Sequence, residues 1–121
     1  MARYTYICFT KATPGNEEAF HEWYDAQHLA DCVNVPGVIS AKRYKLLYGV
    51  GLGSVVKDSE FNSIALYELE TDDPVAVARE MSARAGTEVM PLISACDRDA
   101  AVKYVAVAAG EIGPQDDDKQ D

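Results

Sequence analysis

The chain has 121 residues, of which 48% are hydrophobic, 9% aromatic and 26% charged. That length suits one domain with a core of its own, burying roughly two-thirds of the unfolded surface, and the composition is that of a globular protein. The formal net charge is −9, which argues against nucleic acid and anionic membrane surfaces as partners. Three cysteines, Cys8, Cys32 and Cys96, are odd in number and widely spaced, so neither a disulfide framework nor a zinc ribbon is expected. No leader pattern opens the chain and no apolar run reaches the ~18–20 residues of a membrane span. The expected compartment is the reducing cytoplasm.

Taken in chain order, Arg3–Thr10 (RYTYICFT) is rich in aromatic and β-branched residues and predicts a strand. KATPGNEEAF follows. Thr13 suits an N-cap, Pro14 a first helical position, and Glu17 and Glu18 the positive end of the helix dipole. The helix is expected to run from about Pro14 to Cys32, where NVPG stops it. Val38–Leu47 is the second predicted strand. YGVGLGSVVKDSE, with Gly49, Gly51 and Gly53, reads as a flexible connection. It lacks the GK[ST] ending and the following helix of a phosphate loop. Phe61–Glu70 is the third strand. A second helix follows, with Asp73 as cap, Pro74 at the first position and Gly86 at the C-terminal end. TEVMPLISACD is ambiguous because of Pro91. Ala100–Gly110 is the fourth strand. Residues 111–121 form a solvated tail in which five acids against one lysine give a net −4.

The order is βαββαβ, a ferredoxin-like α+β unit with an antiparallel four-stranded sheet. We assign residues 1–110 to one domain. Two helices cover only one sheet face, yet strands 3 and 4 show little polar alternation. A homodimer in which two sheets close into a barrel-like core, a dimeric α+β barrel, is therefore expected.

Both histidines, the tryptophan, a tyrosine and an aspartate fall in HEWYDAQH, His21–His28. At 100° per residue, Phe20, Trp23, Tyr24, Gln27 and Asp31 form one helical stripe, with Leu29 towards the opposite side. His21, Tyr24 and His28 form a ladder at i, i+3 and i+7, and Asp25 stands where it could orient His28. One reading is a His28–Tyr24 acid/base pair, since imidazole exchanges protons near neutral pH and a phenol can donate to a developing oxyanion. The other is packing, with Trp23 and Tyr24 in the core and His28 favoured by the helix C-terminal dipole. His21 reads as solvated. The two histidines are two turns, about 10 Å, apart and do not share a metal, so no metal site is expected. Arg43 could clamp an anion or a carbonyl, or be an exposed strand charge. Tyr4, Tyr6, Tyr44, Tyr67 and Tyr104 lie on predicted strands and could line a cavity for a planar aromatic ligand or pack in the core.

The stretch PGNEEAFHEWYDAQHLADCVNVPGVISAKRY resembles the EthD-like branch of the dimeric α+β barrel proteins. The matching motifs are Pro14–Gly15, Trp23–Tyr24–His28, Pro36–Gly37 and Ala41–Arg43–Tyr44. Ala30 stands where that family often has proline, so the helix is expected to run on. The resemblance implies a pocket in each protomer and carries over Trp23, Tyr24, His28, Arg43 and Tyr44. It implies a small cofactor-independent enzyme working by His28/Tyr24 acid–base chemistry: an isomerase, cyclase or C–C lyase acting on an aromatic, phenolic or polyketide-like molecule. Trp23, Arg43, Tyr44, Tyr67 and Tyr6 would bind the substrate. The alternatives are a cofactor-free quinol monooxygenase and a non-catalytic binder of haem or an aromatic ligand.

Overall fold

The computed structural model describes residues 1–51, 53 and 55–115. Four long strands, β1 (Ala2–Thr10), β2 (Val38–Lys45), β5 (Ser63–Thr71) and β6 (Val102–Ala106), form an antiparallel sheet in the order β2-β5-β1-β6. With the helices between them this is the ferredoxin-like βαββαβ arrangement.

β1 and β5 alternate strictly. Tyr6, Cys8 and Thr10 on β1, and Ser63, Ala65, Tyr67 and Leu69 on β5, are buried under the helices. Their neighbours Ile7, Phe9, Ile64 and Leu66 point to the other face and are partly exposed. That face also carries an Arg3–Glu70 ion pair and Thr5 donating to Glu68.

The first helical segment begins later than the sequence suggests. Gly15 has φ +83°, so Pro14–Gly15 is a turn, and α1 spans Glu17–Trp23. Thr13 is consequently not the N-cap; its hydroxyl donates to the Ser94 carbonyl and accepts from Asn16. A π-helical turn, Tyr24–His28, follows, and α2 (Leu29–Val33) continues it. The extra residue in the π turn shifts the buried face. Gln27 is therefore exposed rather than in the stripe, Asp31 is partly exposed, and Leu29 packs against the core. Cys32 becomes the buried residue of α2.

α3 (Pro74–Arg84) starts as expected, with the Asp73 carboxylate accepting from the Ala76 N–H at 3.1 Å and Gly86 at φ +86° beyond its end. The glycine-rich stretch is not a plain connection. Within it β3 (Gly49–Val50) pairs with β4 (Val56–Lys57) as a small hairpin; Leu52 and Ser54 lie outside the described residues. The ambiguous segment after α3 is irregular and folds back on the core. It buries Met90 and Ala95, and Ala12 bridges to Cys96. β6 is shorter than predicted, and residues 107–115 are exposed without regular structure. Residues 116–121 of the acidic tail lie outside the described residues.

Candidate active site

The inner face of the sheet, the π turn, α3 and the segment after it line a half-open cavity of about 150 Å³. An apolar cavity of this size holds a single aromatic ring such as benzene. Its walls combine apolar groups (Met81, Met90, Leu92) with short polar ones: Tyr6, Tyr24, Tyr67, Thr10, His28 and the thiols of Cys8, Cys32 and Cys96.

His28 reaches this wall because of the π turn. The Leu29 N–H bonds back to the Tyr24 carbonyl, five residues earlier. In a regular α-helix, residues five apart are about 140° apart around the axis. Here Trp23 and His28 stack instead, with ring centroids 4.5 Å apart and planes at 25°. Tyr24 meets the same imidazole edge-on at 4.8 Å. The Tyr24–His28 contact of the expected ladder is thus present, while His21 meets Arg43 instead. His28 Nε2 lies 3.6 Å from the Cys32 sulfur, while its Nδ1 is buried and has no hydrogen-bond partner among the described residues. The imidazole is held down to about pKa 4, mainly by burial and then by the Lys103 charge. It is neutral at physiological pH.

The hydroxyls of Tyr24 and Tyr67 lie 3.3 Å apart in the buried wall. Burial raises both well above the ordinary phenol value, so both stay protonated donors. Burial likewise pushes the Cys8 thiol up to about 12 and Cys32 to about 11, so neither is a ready thiolate.

Arg43 and Tyr44 do not line the cavity. β2 directs Arg43 to the helix side, where its guanidinium bonds both carboxylate oxygens of Asp25, at 2.8 and 2.9 Å. It also donates to the buried Ser63 hydroxyl and meets His21 Nδ1 at 2.9 Å. Its side chain is only 7% exposed and lies over the outer face of the Tyr24 ring at 5.0 Å. Asp25 is thus engaged by Arg43 and does not orient His28, and His21 is part of this network rather than solvated. Tyr44 alternates to the opposite sheet face, beneath Lys42. Trp23 backs His28 without lining the cavity. Cys8, Cys32, Thr10, Arg98 and Lys103, all in the wall, were not singled out from the sequence as binding residues. The alternation of β1 and β6 could have found Cys8 and Lys103, which pair across the sheet. Among the described residues, no group of three or more His, Cys, Asp or Glu side chains is placed to hold a metal ion. No described helix is long and apolar enough to cross a membrane.

No protein-family model and no curated protein sequence matches the chain. Solved structures do. A presumptive monooxygenase from Shewanella loihica aligns over 91% of this chain and 97% of its own, with a TM-score of 0.56 and 17% identity. An ethyl tert-butyl ether (EthD) family protein from Bacillus halodurans covers 88% of this chain and 99% of its own, at TM-score 0.51 and 16% identity. A dimeric ferredoxin-like protein from an uncultured marine organism covers 91% and 97%, at 0.50 and 10%. At these identities the likeness is one of fold. The fold is that of the ferredoxin-like α+β proteins. Within that class its fold is like that of the EthD family protein.

Proposed function

We propose that this protein is a small cofactor-independent enzyme that transfers protons on a single-ring phenolic or enolisable substrate. His28 is the acid–base group, and the Tyr24 and Tyr67 hydroxyls hold the developing oxyanion. The observation that carries this reading is the neutral imidazole of His28 in the wall of a ring-sized cavity that also holds the Tyr24 and Tyr67 hydroxyls.

The chemistry follows from the electrostatics. A substrate O–H or activated C–H beside His28 gives its proton to the neutral imidazole, and the electron pair moves onto an oxygen. The tyrosines remain protonated and donate to that oxygen in a setting that excludes water. An anion forming beside the ring favours the imidazolium, which lifts His28 from its resting value towards neutrality as the reaction proceeds. Isomerisation, ring closure and C–C cleavage each draw on this one base and its oxyanion donors.

A second reading is favoured by the likeness to the Shewanella loihica protein. The same deprotonation of a quinol yields an electron-rich phenolate that molecular oxygen can attack. The quinol itself supplies the two electrons and two protons: one oxygen atom enters the ring, the other leaves as water, and the product is the hydroxylated quinone.

We further propose that the open sheet face, with Ile7, Phe9, Ile64, Leu66 and Tyr104, pairs with the same face of a second copy in a C2 dimer. Sedimentation of the purified chain tests this directly. The three free thiols suit a cytoplasmic setting.

Trp23 is the sole tryptophan and stacks on His28, so its fluorescence reads the cavity. Resorcinol is expected to change that signal saturably. The protein should also speed deuterium entry into the resorcinol ring, and His28→Ala should abolish the acceleration. If no single-ring phenol perturbs Trp23 and no exchange is accelerated, the assignment is wrong. Oxygen uptake with hydroquinone separates the second reading from the first.

A further inference from the structure

The charges around the cavity run against those of the whole protein. The chain carries 20 Asp and Glu against 11 Lys and Arg. The residues lining the cavity nevertheless include Lys103 and Arg98 and no carboxylate. Asp31 and Asp97 come near Cys32 and Cys96 but do not line the cavity. Lys103 lies on β6 directly across from Cys8, on the helix side of the sheet, and is solvent-exposed. It makes no hydrogen bond or ion pair among the described residues. Arg98, in the short 3₁₀ turn before β6, is also exposed and donates to the Ala85 carbonyl at 3.3 Å. The interior end is different: Tyr24 and Tyr67 are buried and uncharged, and the His28 ring is neutral. The cavity therefore has a neutral, ring-sized inner end and a cationic outer end.

We infer that the substrate is a single-ring anion whose carboxylate lies at the mouth against Lys103 and Arg98, with the phenolic or enolic end turned inwards to Tyr24, Tyr67 and His28. This rests on the proposed function and adds the charge and orientation of the ligand. A cationic mouth on an acidic protein concentrates anions at the one opening where they are useful and speeds their entry. Two exposed cations cannot hold a carboxylate tightly by themselves. The ring and the inner hydroxyls supply the remaining affinity, so both halves of the ligand are needed. The Lys103 charge also reaches the interior: burial raises Cys8 and Cys32 and lowers His28, and Lys103 acts on all three in the sense that favours negative charge there.

The test is fluorescence titration of Trp23 with phenol, 4-hydroxybenzoate and tyramine at neutral pH, in wild type, Lys103→Met, Lys103→Glu and Arg98→Met. 4-Hydroxybenzoate is expected to bind at least 10-fold more tightly than phenol. Lys103→Met should remove at least 5-fold of that affinity while leaving phenol unchanged, and Lys103→Glu should turn the preference towards tyramine. Raising the salt should weaken 4-hydroxybenzoate alone. Arg98→Met should act in the same direction as Lys103→Met. Equal affinity for phenol and 4-hydroxybenzoate, or an equal loss of both in the Lys103 variants, would overturn the orientation and leave the proposed function standing. Failure of every ring compound to bind would overturn both.

Discussion

The indole of Trp23 stacks on the imidazole of His28, five residues further along the same helix, with ring centroids 4.5 Å apart. Only the π-helical turn between them permits this, and such single-turn irregularities are frequent at functional sites. The stack desolvates His28 and fixes its ring, which leads to the first prediction.

Burial holds His28 near pKa 4, below the ordinary histidine value of 6.5. The unfolded chain therefore takes up this proton at higher pH than the folded one. The stability that neutral His28 contributes is complete above about pH 6.5 and is lost as pH falls through 4, by up to about 3 kcal/mol. His21 is lowered too, first by burial and then by Arg43, and contributes in the same sense. Thermal melts from pH 4 to 7 should show a shallower slope for His28→Phe than for wild type. His21→Gln should flatten the curve separately. An unchanged slope in His28→Phe would mean that the ring is not held neutral.

Removing the Tyr24 hydroxyl should separate chemistry from folding. Tyr24→Phe loses one hydroxyl contact, worth about 1 kcal/mol in urea denaturation. The same change should slow deuterium exchange into a bound phenol about 100-fold, the usual cost of one oxyanion donor. Tyr67→Phe should slow exchange as well, because the two hydroxyls act as a pair.

Arg43 should matter for stability and for the Tyr24 ring without contacting the ligand. Arg43→Met deprives the fully buried Ser63 and the His21 Nδ1 of their donor and the Tyr24 face of its cation. A loss of about 2–3 kcal/mol is expected, and Arg43→Lys should not restore it, since an ammonium cannot span both oxygens of Asp25. Asp25→Asn should cost under about 1 kcal/mol, because that carboxylate is largely solvated. Chemical denaturation of the three variants gives the order.

Gly37 is the backbone position least open to change. Its φ is +98°, and a Cβ there would come within 2.8 Å of the Val77 Cγ2 atom on α3. Its carbonyl also accepts from the Glu70 N–H at 2.8 Å, tying the turn to β5. Gly37→Ala should cost about 1–2 kcal/mol from the dihedral alone, with the clash in addition. Gly15→Ala, which meets no atom within 4 Å, should show the dihedral cost only. The difference in melting temperature between the two isolates the packing contribution.

Several elements were legible locally. The Asp73–Pro74 start of α3 and the Pro36–Gly37 stop after α2 are capping and dihedral signals carried by a few neighbouring residues. The alternation of β1 and β5 set which side chains face the helices, and so placed Tyr6 and Tyr67 in the cavity wall. Tyr24 and His28 were legible as neighbours because any helical register brings them close. Arg43 was not: strand alternation places it on a face, but its carboxylate partner is 18 residues away on a helix whose phase had shifted.

Composition, turn signals and the two periodicities determined the βαββαβ order and the closeness of Tyr24 and His28, which both line the cavity. These are local properties, written within about one turn or one hairpin. The π turn, the Arg43–Asp25–His21 network and the cationic mouth made by Arg98 and Lys103 were decided only by the tertiary structure. One extra residue in a helical turn rotates everything beyond it, and the charge of a cavity depends on which distant strands and loops close over it.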